Sequence, residues 1–149
     1  MAFTTKQIEF LVNRVMPLSK VVRGHGVKIV IKDGCEGSHL GSFTSGSKPK
    51  IEICANKIED LGVLQRAMNH EAIHMAQWCW GQAFMHSPEE LKTNAVSQGF
   101  AHDADFAHKM ASTYESKNYG REFEAYFYQE DKEKMIIQIV NRACENRSR

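Results

Sequence analysis

The run from Asn56 to Gly81 constrains this chain more than any other stretch. Ile58, Leu61, Leu64, Met68, Ile73 and Ala76 recur at the spacing of one helix face. Asn56, with Glu59 three residues later, has the pattern of a capping box, and Asp60 is a competing cap. Gly81 is a natural stop. A helix of this length has an apolar side to bury, so the remaining elements must be arranged around it. Its middle carries His70-Glu71-Ala72-Ile73-His74, an HExxH sequence. Helical residues four apart share a face. Both imidazoles can therefore aim a ring nitrogen at one metal ion, and Glu71 stands where it can take a proton from water on that ion.

The other segments predict a mixed α+β domain. Ile8, Leu11, Val12, Val15 and Met16 have helical spacing within Thr5 to Lys20, with Thr4 or Thr5 as cap and Pro17 ending or bending the helix. Val27 to Lys32 alternates as a half-buried strand, followed by an Asp33-Gly34 turn. Cys35 to Lys50 is rich in Gly, Ser and Thr and reads as a flap, or as a hairpin with a strand near Leu40 to Thr44. Lys50 to Cys54 is a second clear strand, with Ile51 and Ile53 on one face. Ser87-Pro88-Glu89-Glu90 opens a short helix, and a last helix runs from about Arg121 to Asn141. No repeat or linker divides residues 1–149, whose length suits a single domain with a substantial core.

Charge and cysteine usage narrow the partners. The formal net charge is +1 with basic residues dispersed, which argues against nucleic acid. No apolar run approaches the roughly 20 residues that span a bilayer, so a membrane is not expected as a partner. Met1 to Lys6 has no signal-peptide core. Cys35, Cys54, Cys79 and Cys144 form no Cys-x-x-Cys pair. They read as free thiols, Cys54 and Cys79 within apolar runs, which suggests the cytoplasm or another reducing compartment.

A catalytic zinc site takes three protein ligands and leaves one position open. The third ligand does not come from the extension HExxHxxGxxH, because residue 77 is Gln and residue 80 is Trp. A carboxylate from a downstream helix is the alternative, and Arg121-Glu122-Phe123-Glu124-Ala125 offers two. At about 100° per residue, Glu124 shares a face with Tyr128, Asp131 and Met135, and Ala125 beside it permits close helix approach. Glu122 falls with Gln129 and Glu133 on what reads as a solvated face. Glu124 is thus favoured over Glu122, with His102, Asp103, Asp105 and His108 as further candidates. His25, His39 and His86 have no motif support and read as surface residues.

With these residues in place, the chain resembles zincin metallopeptidases of the gluzincin type. It is similar to the peptidase family of the mitochondrial inner-membrane protease that processes an ATP-synthase subunit. The resemblance covers about residues 35 to 80. It rests on the Cys-containing Gly-rich segment, on Ile53-Cys54-Ala55-Asn56-Lys57-Ile58, and on Asn69-His70-Glu71-Ala72-Ile73-His74. Glu122-Phe123-Glu124-Ala125 also resembles the Glu-rich second motif of such peptidases and of repressor-cleaving relatives on mobile elements. The resemblance implies a minimal zincin-like α+β domain, with a small, mostly antiparallel sheet packed on the HExxH helix plus a C-terminal helix. It implies an endopeptidase binding one zinc ion through His70 and His74, with Glu71 as general base. The protein or peptide substrate would lie extended along an edge strand within residues 40 to 54. Tyr119, Tyr126, Tyr128, His102 and His108 are candidates for steadying the oxyanion. Asp131 or a backbone carbonyl is a candidate for orienting a His ring. Competing readings are a zincin-fold binding protein without hydrolysis, a DNA-associated zincin, and a structural protein with a chance HExxH.

Overall fold

The computed structural model describes residues 3–37, 39–81, 121–122, 124–126 and 128–145. Thr4 opens helix α1, Thr5–Phe10, through a full capping box. The Gln7 backbone N–H donates to Thr4 Oγ1 at 3.1 Å, and the Thr4 N–H donates to Gln7 Oε1 at 2.8 Å. A π-helical turn, Leu11–Val15, follows before α2, Pro17–Gly24. The expected single helix to Lys20 is therefore divided at Met16. Pro17 has no N–H to continue the ladder and suits the first position of a new helix. The free N–H of Leu18 is met by Glu133 Oε2 at 3.2 Å, from far along the chain.

Three strands follow: β1, Lys28–Lys32; β2, Gly41–Thr44; and β3, Lys50–Cys54. Their order in the sheet is β1-β3-β2. β3 pairs with β2 antiparallel, Gly41 opposite Ile53, and with β1 parallel, Lys28 opposite Lys50. The sheet is thus mixed, where a mostly antiparallel one was expected. The chain passes from β1 to the far edge, and the β2–β3 hairpin then lays β3 between them, running with β1. Central β3 buries Ile51 and Ile53 completely, whereas β2 lies on an edge of the sheet among the described residues.

A 3₁₀ turn, Ala55–Lys57, leads to α3, Leu61–Trp80. Of the two competing caps Asp60 serves, its Oδ1 accepting the Val63 N–H at 2.9 Å. Asn56 instead binds both backbone groups of Cys35, at 3.2 Å each. Gly81 closes the helix at φ 84°, the left-handed conformation that favours glycine. Leu64, Met68, Ile73 and Met75 are fully buried against the sheet and the last helix. Each such side chain contributes roughly 1.5–3 kcal/mol by leaving water. Leu61, expected on that face, lies exposed at the helix start.

Arg121, Glu122, Glu124, Ala125, Tyr126 and Tyr128 are helical, but this helix does not continue to Asn141 as expected. It breaks around Gln129 and Glu130, and α4 runs from Glu133 to Cys144. Buried Asn69 on α3 holds the break: its Nδ2 donates to the carbonyls of Gln129 at 3.0 Å and Asp131 at 3.1 Å. A side chain thus takes up carbonyls that the end of a helix leaves without partners. His25 fastens the end of α2 to α4, its Nε2 lying 2.8 Å from Asn141 Oδ1.

The expectation of free thiols is overturned. Cys35 is bonded to Cys54, and Cys79 to Cys144, across 19 and 65 residues of sequence. The first pair forms because parallel pairing places Lys32 beside Cys54, so the chain just past β1 lies next to the end of β3. The second joins the last turns of α3 and α4. The inference of a reducing compartment loses its basis. Among the described residues no helix is long and apolar enough to cross a membrane.

Candidate metal centre

One turn of α3 brings His70 and His74 together with ring centroids 4.9 Å apart. Glu122 lies across from both. Its Oε2 is 3.2 Å from His70 Nε2 and its Oε1 is 3.0 Å from His74 Nε2. Among the described residues this is the only group of three whose ligand atoms converge, all within 4.8 Å of one another.

The other ring nitrogens are held by amides. His70 Nδ1 is 2.9 Å from Gln129 Oε1, and His74 Nδ1 is 2.9 Å from Gln77 Oε1. An amide oxygen facing Nδ1 holds a hydrogen on that nitrogen and leaves Nε2 as the one that can bind a metal on losing its proton. Two such nitrogens and a carboxylate lie close enough to share one ion, a donor set suited to a divalent cation of the zinc type.

The charges are strongly coupled. Burial alone raises the Glu122 carboxyl, but its bonds to His70 and His74 outweigh this and hold it well below its ordinary value. For His74 burial is the largest single influence and lowers it, yet Glu122 and Glu71 together lift the imidazole above its usual value. Glu71 is 6% exposed. Burial raises its carboxyl above the ordinary value against the pull of both histidines, which moves it towards the range useful for a base near neutral pH.

These groups form the floor of a cleft of about 850 Å³ between α3 and the edge strand β2. Gly41 on β2 is tightly surrounded: a Cβ there would lie 2.6 Å from the Glu52 carbonyl oxygen and 3.4 Å from Glu71 Cγ. Phe43 and Trp78 line one stretch with rings 5.7 Å apart. Arg66, Arg121 and Gln129 line others. Tyr126 also faces the cleft and meets the His70 ring edge-on at 4.7 Å.

The structure thus brings together His70, Glu71 and His74 as the sequence suggested, but places Glu122 rather than Glu124 beside the imidazoles. Glu124 is fully buried and accepts a hydrogen bond from Gln77 Nε2 at 3.0 Å. His39, read as a plain surface residue, borders the cleft near Glu71. Tyr128 packs against the core, its hydroxyl pushed up to about 12 by burial and by the charges of Glu124 and Asp131. Asp131 bonds Asn69 through its backbone carbonyl, and the ring-orienting partners are Gln77 and Gln129, which sequence reasoning missed. His86, His102, Asp103, Asp105, His108, Tyr119 and the helix expected at Ser87 lie outside the described residues.

No curated protein and no solved structure matches the chain. A family model does, over residues 7–145, and its description is a domain of unknown function, DUF8637. Since that match runs from within α1 to the end of α4, the chain belongs to the DUF8637 family.

Proposed function

We propose that this protein is a zinc-dependent, zincin-like endopeptidase, in which His70, His74 and Glu122 hold one zinc ion and Glu71 is the general base. The observation that carries the reading is the convergence of His70, His74 and Glu122 in one cleft that Glu71 and strand β2 also line. When bound, zinc supplies a Lewis acid for a carbonyl oxygen and lowers the pKa of water in its open position to roughly 7.

The chain's own groups account for the rest. Buried Glu71 takes the proton of the attacking water and returns it to the leaving amine. Tyr126, whose ring stands beside His70 on the cleft wall, is the residue proposed to donate to the oxyanion. Strand β2 offers its outer backbone edge to an extended peptide, which would pair with it as an added strand. The two disulfides favour an oxidising compartment for this activity.

Elemental analysis of purified protein is expected to give one zinc per chain. Glu71→Gln is expected to retain that zinc and to lose roughly 10²–10⁴-fold in hydrolysis of an unfolded protein substrate. Full activity in Glu71→Gln would remove the base assignment, and a protein without stoichiometric metal would remove the reading as a whole.

A further inference from the structure

Gln77 lies one turn beyond His74 on α3 and is 2% exposed. Its amide makes three bonds at once. Nε2 donates to the Arg121 carbonyl at 3.0 Å and to Glu124 Oε1 at 3.0 Å. The Arg121 carbonyl can only accept, so it settles which end of the amide is nitrogen. The oxygen end must then face His74, where Oε1 meets Nδ1 at 2.9 Å. That fixes a hydrogen on Nδ1 of His74, which donates to Gln77, and leaves Nε2, 3.0 Å from Glu122 Oε1, as the nitrogen that can bind a metal ion.

Arg121 immediately precedes Glu122 in the chain. The same amide that fixes the His74 ring therefore also fixes the backbone of the residue next to the converging carboxylate. We propose that Gln77 is a positioning residue that couples two metal ligands, setting the tautomer of His74 and anchoring the segment that carries Glu122. This rests on the metal centre proposed above. His70 has a lighter support. Its partner Gln129 is only partly buried, and the Gln129 Nε2 reaches the exposed Glu130 carboxylate at 3.5 Å. The two glutamines are thus unequal: Gln129 orients one ring, whereas Gln77 orients a ring and ties down a second ligand.

Zinc affinity, measured by chelator competition on the full chain, is the test. Gln77→Met keeps the side chain's length and removes its polar atoms; affinity is expected to fall roughly 10–100-fold, the range for a residue behind a metal ligand. Gln129→Met is expected to cost distinctly less. Equal costs would overturn the coupling, and wild-type affinity in Gln77→Met would overturn any positioning role, even with a lowered melting temperature. Zinc-loaded wild-type protein supplies a readout that does not depend on Gln77→Met folding. In its ¹⁵N NMR spectrum the Nδ1–H of His74 is expected to exchange slowly with solvent, and fast exchange would overturn the proposal. Wild-type protein that binds no zinc would instead overturn the metal centre itself.

Discussion

Glu122 and Glu124 stand two residues apart on one helical segment and meet opposite surroundings. Glu122 has an oxygen on each imidazole, whereas Glu124 is sealed in the interior against Gln77. Glu122→Gln should therefore weaken zinc binding by more than about 100-fold, beyond the range for a residue that only supports a ligand. Glu124→Gln keeps an oxygen for Gln77 and should cost at most about 10-fold. Zinc titration of the two variants checks this, and a reversed order would return the role to Glu124. His70, Glu71 and His74 were legible in the sequence because their geometry is local to one helical turn. The choice between the two glutamates was not. Glu122 shares a face with Gln129, and a polar face was taken to meet water when it meets a polar cleft. Hydrophobic pattern cannot distinguish the two.

Short elements placed by long-range contacts govern how the cleft is walled. Strand β2 has only four residues, and it lies tight against β3 at position 41, where there is no side chain. In Gly41→Ala the added methyl would meet the Glu52 carbonyl at 2.6 Å, so the strand must shift. Such overpacking typically costs 1–3 kcal/mol. Urea unfolding should register a loss of that size, and an unchanged midpoint would show that β2 slides freely. The strands and the HExxH helix were legible from period and caps. The π-helical turn before Pro17 and the break after Tyr128 were not. In the second case the deciding group is Asn69, some 60 residues upstream, whose amide collects two carbonyls at the break. A periodicity confined to residues 121–141 contains no trace of it.

At the scale of the whole molecule, two crosslinks tie the layers that build the cleft. Cys35–Cys54 fastens the connection leading to β2 onto the end of β3, and Cys79–Cys144 fastens α3 to α4 beyond the candidate metal centre. Neither pairing could be read from spacing, since each depends on the tertiary arrangement: parallel β1–β3 register for one, α3 against α4 for the other. Their contributions should differ with the length of chain each one closes. In the loop-entropy account, a separation of 19 residues corresponds to about 3 kcal/mol and one of 65 residues to about 4 kcal/mol. Replacing Cys79 and Cys144 together by Ala should therefore destabilise the fold more than replacing Cys35 and Cys54, as read by urea unfolding of each double variant. The opposite order would mean that local strain or residual structure in the unfolded chain, rather than loop length, sets what each bridge contributes. Thiol reductant should lower the melting temperature of the wild type and leave the variant lacking all four cysteines unaffected, which separates loss of the bridges from any effect of the reductant elsewhere.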